Sequence, residues 1–503
     1  MNKLKIMKSV VGILLVSSML VSFAACSGSS EDVSSQTKSN ETSSIDGASS
    51  EEGGIQTGKL TSSEGSTSSG STSSGSPGIS ILKPPTGNTT SKAPGNTSTS
   101  STVHVKPDDN YDAYANIDHL RGKTVKILLW YTPSADETKV MNDFTAKTGI
   151  KIKPIRTDNA KYLSRLSTMV ASKDAPDCAA LFDDKYPTGV IKGLFDDINK
   201  GAFDLKNDPY IDLDTMKYVS WNGKQFGVTY KESPYNDRPM VFYNKTMFKN
   251  KGITDPGTLW RNKKWNWDTF AECAEKMTST TGSVTTYGLG NTSFTIMQYL
   301  LASNGTSFVT LNYDKGTVTN NLKNPKVLQA MSFYSNLAAK KLVAPEGNTW
   351  ELFTAGKCAM YAYGQSWGYT DGSFGKLKDE WTAVPFPSPA GQKHINPVNV
   401  LMWGLGKECK NPEAGSYLIR WLNVTNGDII KKRFSPETYK AWEANLTAEV
   451  CPMWDYGVLG INLFKELAAV SRGNVNDIPT KLNSKSGAVD SAIKTVVNEM
   501  QGG

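Results

Sequence analysis

Residues 124–131 read TVKILLWY and residues 140–155 read VMNDFTAKTGIKIKPI. The first segment is an almost unbroken apolar run, which is typical of a strand buried on both faces. In the second segment the apolar residues recur at helical spacing as far as Thr148, Gly149 ends the helix, and alternation resumes from Ile150. The two segments therefore predict a βαβ unit whose first strand lies inside a parallel sheet.

The same alternation continues towards the C-terminus. A second helix is predicted over residues 162–172, and a short strand over Cys178–Phe182 follows Pro176-Asp177. Further helices are predicted to start at the N-cap Asn266 and at Pro412. Strands and helices in this order predict an α/β fold, and the length of 503 residues favours more than one folded unit.

The N-terminus has the order of a secretory signal. Three lysines precede an apolar stretch from Val10 to Phe23, and the small pair Ala24-Ala25 follows, so residues 1–25 are predicted to be a signal peptide. The junction Phe23-Ala24-Ala25-Cys26 resembles the lipobox of bacterial lipoproteins, although Phe23 replaces the usual Leu. This resemblance predicts lipidation at Cys26; the alternative is an ordinary signal peptide with an incidental cysteine.

Residues 26–107 form a long polar segment behind that cysteine. It is rich in Ser, Thr and Gly and has almost no large apolar side chains, so it cannot offset the entropy of ordering. We predict a disordered tether that leads to the folded part. A glycosylated stalk with a binding role of its own is the alternative.

The reactive residues exclude several classes of protein. There are 55 basic and 48 acidic side chains, too even a mixture for a nucleic-acid binder. The three histidines are isolated, the cysteines form no CxxC pair, and no phosphate-binding glycine loop occurs. We therefore expect no metal, no cofactor, no catalytic residues and no enzymatic activity. Besides Cys26 there are five cysteines, so at least one is free.

Several segments in a fixed order resemble the family 1 extracellular solute-binding proteins, the receptors of carbohydrate ABC importers. The resemblance runs from about Gly122 to the C-terminus. Its residues are the first βαβ unit and the segments NGKQFGV at 222–228, FYNKTMF at 242–248, WNWDTF at 265–270, YGL at 287–289, FTAGKCAM at 353–360 and NPEA at 411–414.

The family implies a two-lobed, type 2 periplasmic-binding-protein-like fold with discontinuous lobes and a hinge. We expect residues 108–230 and about 398–445 in lobe 1, and about 231–397 and 446–503 in lobe 2. The implied function is to capture a carbohydrate, an oligosaccharide by preference, in the cleft between the lobes and to deliver it to an ABC transporter permease. The implied setting is a lipid-anchored monomer on the extracellular face of a Gram-positive-type membrane.

Sugars stack on aromatic rings and bond to carboxylates and amides, so the candidate ligand contacts are of these types. Some of these candidates occupy positions that resemble those of ligand contacts in sugar-binding relatives, and the others lie at strand ends or at a predicted crossing between the lobes. The candidates are Trp130, Asp183, Asp184, Glu232, Phe294, Trp367, Asn399 and Trp454.

Two other functions fit parts of the sequence. A surface adhesin for a polysaccharide would explain the long tether. A secreted glycosidase would also use aromatic residues and carboxylates, but it needs two opposed acids about 5 to 9.5 Å apart, and the sequence does not indicate such a pair.

Overall fold

The computed structural model describes residues 111–498, except residues 183, 232, 234–235, 348–349 and 371, and only the backbone of residues 426–430. The predictions for the signal peptide, for Cys26 and for the tether lie outside the described residues, and so do those for Asp183 and Glu232.

Sixteen strands occur in the described part of the chain. They are β1 Thr124–Leu129, β2 Lys151–Arg156, β3 Cys178–Leu181, β4 Phe195–Asp196, β5 Ser220–Trp221, β6 Lys224–Gln225, β7 Met240–Asn244, β8 Ser279–Thr281, β9 Val284–Leu289, β10 Val309–Asn312, β11 Thr317–Asn320, β12 Cys358–Tyr363, β13 Trp381–Pro385, β14 Ile395–Val398, β15 Met402–Gly406 and β16 Glu449–Pro452.

The α-helices of the same residues range from a single turn to 21 residues. They are α1 Ala135–Thr148, α2 Tyr162–Ala171, α3 Thr188–Ile191, α4 Leu213–Met216, α5 Lys245–Lys251, α6 Pro256–Arg261, α7 Trp267–Met277, α8 Ser293–Ser303, α9 Pro325–Ala339, α10 Glu351–Thr354, α11 Pro412–Lys431, α12 Pro436–Leu446, α13 Asp455–Val470 and α14 Ile478–Asn498.

The first sheet contains the predicted βαβ unit. β1 and β2 are parallel and in register from Thr124 opposite Lys151 to Leu129 opposite Arg156. Helix α1 connects them; it starts at a capping box between Ser134 and Glu137 and ends at Gly149, whose φ is +70°. The sheet order is β2-β1-β3-β15-β4, and β15 returns antiparallel to β3 from late in the chain. This sheet and its helices form lobe 1.

The second sheet has the order β13-β7-β12-β9-β8. β9 and β12 are parallel, whereas β7 is antiparallel to both of its neighbours, β12 and β13. Helix α7 packs on this sheet and starts where the sequence indicates, because the Asn266 side chain accepts a hydrogen bond from the amide of Thr269 at 3.1 Å. This sheet and its helices form lobe 2, so the predicted two-lobed α/β fold is confirmed.

The chain passes between the lobes near two pairings. β14 pairs in parallel with β16, and Asp237 pairs with Asn399 across the hinge. Helix α12 packs on β13, which belongs to the second sheet. The residue limits of the lobes stay a prediction. The packing of α12 on β13 favours a third passage of the chain between the lobes at the connection of α11 and α12, rather than near Leu446.

Two other features of the described residues bear on function. None of their helices combines the length and the apolar character needed to cross a bilayer. The cysteines outside position 26 are all free; Cys178, Cys273 and Cys358 are buried, while Cys409 and Cys451 are half-buried.

Candidate functional site

In an α/β sheet a ligand site forms at the carboxyl ends of the parallel strands. In lobe 1 this edge contains the residues that follow β1 and β3 and the start of β15. In lobe 2 it contains the residues that follow β9 and β12 and those that precede β7. The chain crosses the hinge beside both edges, so they form the two walls of the candidate site.

The wall of lobe 1 is aromatic. The half-buried ring of Trp130 lies directly after β1, and its centroid is 4.6 Å from that of Phe182, the residue that follows β3. Tyr131 and Trp403 lie beside the same ring, with centroids 5.0 and 6.1 Å from it. These neighbouring rings thus fix the orientation of Trp130. Part of its surface stays exposed at the strand ends, as a ring that stacks on a sugar requires.

A charged pair lies next to these rings. The Lys185 ammonium donates to Asp184 Oδ2 at 2.5 Å and lies 5.0 Å from the centroid of the Phe182 ring. Lys185 is buried, whereas Asp184 is half-buried. The ammonium of Lys185 thus orients the carboxylate of Asp184, a predicted ligand contact. The other oxygen of this carboxylate, Oδ1, is buried.

The wall of lobe 2 contains tyrosines that the sequence analysis did not select. Burial raises the pKa of Tyr299 well above its usual range, and the charges of Tyr363, Asp237 and Tyr456 add to this increase. Tyr363 is the last residue of β12 and Tyr456 is the second residue of α13, and both are half-buried. Phenols offer an apolar face and a hydroxyl together, which suits a carbohydrate.

Two predicted residues belong to this wall. The ring of Phe294 is nearly parallel to that of Tyr456, with centroids 6.1 Å apart. Trp454 precedes α13, and its ring centroid is 4.6 Å from that of Tyr186 in lobe 1. Phe294 remains half-buried, but only 2% of the surface of Trp454 is exposed. Trp454 therefore lies at the junction of the lobes.

The hinge contains the predicted Asn399. Its amide donates to the Asp237 carbonyl at 2.8 Å, and the Asp237 amide donates in return to the Asn399 carbonyl at 3.0 Å. The Asp237 carboxylate accepts from the amide of Gln365 at 2.6 Å, and burial raises its pKa to about 6. A Cβ at Gly364 would lie 2.1 Å from this carboxylate, so only glycine fits there. The predicted Asn399 thus contributes backbone bonds to the hinge.

The family model described as bacterial extracellular solute-binding protein matches residues 131–424, more than half of the chain. The chain belongs to this family. The resemblance read from the sequence motifs is thereby confirmed.

Solved structures of sugar-binding proteins share the fold of this solute-binding protein. An ABC substrate-binding protein from Listeria monocytogenes in complex with cycloalternan is 17% identical, with a TM-score of 0.54 over 75% of this chain and 99% of its own. A sugar transporter protein from Rhizobium etli in an open conformation is 18% identical, with a TM-score of 0.58 over 73% and 99%. The cyclic alpha-maltosyl-1,6-maltose binding protein from Arthrobacter globiformis is 16% identical, with a TM-score of 0.56 over 76% and 99%. No curated protein matches the chain in sequence.

One sequence-predicted contact of this solute-binding protein is placed in a core. Only 2% of Trp367 is exposed, and its ring packs against Trp350, Tyr363 and Phe374 at centroid distances of 5.1, 4.5 and 5.3 Å. The ring of Trp367 thus packs against the ring of Tyr363 and restricts its position. Its role as a ligand contact stays a prediction.

A cavity of about 220 Å³ lies outside the cleft, against the first described residues of this solute-binding protein. Arg420 forms its charged centre and pairs with Asp208, with Nε donating to Oδ2 at 2.6 Å. The rings of Tyr111, Tyr114 and Tyr210 surround the guanidinium at 5.3 to 5.6 Å. This cluster holds the first described residues against lobe 1. No group of side chains suited to a metal ion occurs among the described residues.

The sequence could have indicated two of the missed tyrosines. Tyr363 ends the strand that carries the segment FTAGKCAM, and Tyr456 follows Trp454 by two positions. Tyr299 gave no such signal, because it lies inside the apolar helix α8 and only the packing of that helix on the sheet brings it to the wall.

Proposed function

We propose that this protein captures an oligosaccharide in the cleft between its lobes and delivers it to the permease of an ABC importer. The observation that carries the proposal is the pairing of an aromatic platform, Trp130 with Asp184 beside it, with the tyrosine wall of lobe 2. Sugar rings stack on such faces, and their hydroxyls bond to such carboxylates and phenols. The structural relatives named above are themselves sugar-binding proteins by their descriptions.

The proposed setting is the outer face of the membrane. A lipid on Cys26 would hold the receptor there, and residues 27–107 would give the folded part room to reach the permease. As a flexible coil of about 80 residues this tether has an r.m.s. span of about 50 Å. We propose that the protein acts as a monomer and breaks no bond in its ligand.

A thermal-shift screen against mono- and oligosaccharides tests the proposal. A ligand at 100 times its dissociation constant stabilises the folded state by about 2.7 kcal/mol, so a binder gives a clear shift in the midpoint of unfolding. We expect oligosaccharides to shift the midpoint more than their component monosaccharides. A panel in which no soluble saccharide shifts the midpoint, while an insoluble polymer retains the protein, would support the adhesin instead.

Two tryptophan variants locate the site with the best ligand of that screen. Trp130→Ala should weaken binding by about 1 to 3 kcal/mol, the value for loss of one stacking ring, which is about 5- to 150-fold in the dissociation constant. Trp260→Ala is the matched control, because Trp260 is also half-buried but lies on α6, where Gly257 approaches Tyr243 near the end of β7 that is farther from the cleft. Equal affinity for Trp130→Ala and the control, measured by calorimetry, would remove Trp130 from the site.

A further inference from the structure

Six lysines lie near the carboxylate of Asp174, at the end of lobe 1 where β1 and β2 begin. Asp174 is exposed, and its carboxylate accepts a hydrogen bond from the Lys126 ammonium. Lys410 Nζ lies 4.0 Å from the same carboxylate oxygen. The hydrogen bond and charge of Lys126, together with the charges of Lys410 and Lys153, hold the pKa of Asp174 below its usual value. We call the six residues the lysine cluster; they are Lys123, Lys126, Lys151, Lys153, Lys173 and Lys410.

The register of the first two strands places lysines side by side. Lys126 of β1 is opposite Lys153 of β2, and neighbouring strands lie about 4.8 Å apart. Lys151 is on the same face of β2 as Lys153, because side chains alternate along a strand. The Lys151 amide donates to the Lys123 carbonyl at 2.8 Å, which brings a fourth lysine to this place. Like charges on neighbouring strands repel each other, so the arrangement costs stability that a bound anion would recover.

A buried carboxylate fixes two of the segments that carry these lysines. Only 1% of Asp177 is exposed, and its two oxygens accept from the amides of Lys126 at 2.8 Å and of Asn411 at 2.7 Å. The backbone of β1 and the backbone next to Lys410 are therefore joined through one side chain. The positive charge of the lysine cluster thus has a defined place on lobe 1.

Protection of a strand edge does not explain the whole cluster. β2 is an edge strand of the first sheet, and edge strands often carry lysine and proline, as Lys151, Lys153 and Pro154 do. Lys126, however, lies on β1, inside the sheet, and Lys410 lies in the connection after β15. Neither of these two lysines blocks the free edge, so their place beside the edge lysines indicates a binding surface.

The chemistry of the cluster suits an extended polymer that carries phosphate groups. In the part of the chain that the structure describes, Asp174 is the only acid that forms an ion pair with these lysines, so most of their charge is available. Ammonium groups act as flexible point charges, which suit a series of phosphates better than a planar, bidentate contact. Lys151 and Lys153 are about 6.6 Å apart along β2, so the charges are spread over a surface rather than gathered in a pocket for one small anion.

A lipid surface suits the cluster less well. Segments that bind at a membrane interface also bury aromatic or large aliphatic side chains in it. Among the described residues, the large hydrophobic side chains that are exposed are those of Leu213 and Val284, and neither belongs to the cluster. The proposed tether also lets the folded part stand away from the membrane, among the polymers of the wall.

We propose that the lysine cluster binds a phosphodiester-linked anionic polymer of the cell wall. The cluster lies where β1 and β2 begin, whereas the candidate sugar site lies at their carboxyl ends, about 20 Å away along the six residues of β1. A polymer bound to the cluster therefore leaves the cleft accessible and keeps the receptor within the wall. This inference goes beyond the proposed function and shares with it only the location outside the membrane.

Binding to immobilised poly(glycerol phosphate) tests the proposal, with the full-length chain carrying Cys26→Ala so that no lipid takes part. We expect the protein to bind this polymer and not uncharged poly(vinyl alcohol), as measured by biolayer interferometry. Lys151→Gln combined with Lys153→Gln should weaken binding by about 10- to 30-fold, because each lysine near a phosphate-bearing surface contributes a factor of about five. The slope of log affinity against log salt should become shallower by about 1 for each lysine.

The control is Lys323→Gln combined with Lys357→Gln. These two lysines are likewise exposed and form no ion pair among the described residues, but they lie in lobe 2. Their replacement changes the net charge by the same amount and should leave binding as in the parent chain. An equal loss in the control would overturn the proposal, because net charge alone would then explain binding, and so would unchanged binding of the folded cluster variant.

Vesicles separate the wall polymer from the membrane. Vesicles of phosphatidylcholine and phosphatidylglycerol in equal amounts should bind the protein more weakly than the polymer does at the same phosphate concentration. Tighter binding to the vesicles, lost in the cluster variant, would overturn the proposal in favour of a lipid surface. If the first variant does not fold, as checked by circular dichroism, Lys123→Gln combined with Lys410→Gln removes two other charges of the cluster. Either variant should keep the thermal shift given by the best saccharide, so this test and that of the proposed function fail independently.

Discussion

The ring of Trp454 lies against that of Tyr186, with centroids 4.6 Å apart, although the two residues are far apart in the chain. Tyr186 follows the third strand of lobe 1, and Trp454 precedes a helix of lobe 2. Their contact joins the lobes, and the ring of Trp221 lies edge-on to Tyr186 on the lobe 1 side, with centroids 6.4 Å apart. It explains why a tryptophan in a loop, where a packed residue is not expected, is almost entirely buried.

Removal of the Trp367 ring should destabilise lobe 2. Trp367→Ala leaves a cavity among Trp350, Tyr363 and Phe374, and such a change in a core costs about 3 to 5 kcal/mol of unfolding free energy. Urea denaturation measures the loss, and the exposed-site variant Leu213→Ala serves as control. Unchanged stability together with loss of carbohydrate binding would instead make Trp367 a stacking platform.

The buried carboxyl of Asp455 should give the protein a pH-dependent stability. Burial raises its pKa in the folded state to about 7, above the usual value of 3.8. Between these values the folded state binds more protons than the unfolded state, so the free energy of unfolding falls as the pH rises towards 7. Asp455→Asn should make the fall in the free energy of unfolding between pH 3.8 and about 7 shallower, as followed by urea denaturation at each pH.

The free energy of unfolding of Asp455→Asn should still depend on pH, mainly below about pH 6, because burial raises the pKa of Asp237 to about 6. Asp136→Asn, at an exposed position in the first turn of α1, is the matched control and should keep the wild-type profile. An Asp455→Asn profile identical to that of wild type would show that this carboxyl is not the group that titrates.

A saturating ligand should reduce the radius of gyration of the protein, because a sugar that contacts both lobes stabilises their closed arrangement. Small-angle scattering with and without the best ligand of the thermal-shift screen measures the change, and circular dichroism should show unaltered secondary structure. Identical scattering curves at saturating ligand would favour a rigid adhesin.

Loss of Cys26 should release the protein from the membrane. The prediction depends on the Ala24-Ala25-Cys26 junction, since a thioether-linked lipid requires that thiol. Cys26→Ala should move the protein from the membrane fraction into the culture medium, as measured by immunoblot. Ser27→Ala is the control and should leave the protein in the membrane fraction. If all of the Cys26→Ala protein also stays in the membrane fraction, the lipid anchor is contradicted.

The sequence by itself determined the fold class and the family. The apolar run at residues 124–131 and the helix that ends at Gly149 depend on local periodicity and backbone preference, and both are read directly from neighbouring residues. The Asn266 cap is equally local. The same patterns predicted where β1 and β3 end. These predicted strand ends correctly placed Trp130 and Asp184 at an edge of the first sheet.

Only the tertiary structure decided which aromatic residues are packed and which remain accessible. Trp367 and Trp130 look alike in sequence, since each follows a buried strand, and both have aromatic neighbours, yet only 2% of Trp367 is exposed whereas Trp130 is half-buried. Tyr299 reaches the wall because helix α8 packs on the second sheet. Such contacts depend on the arrangement of whole elements, so no local pattern contains them.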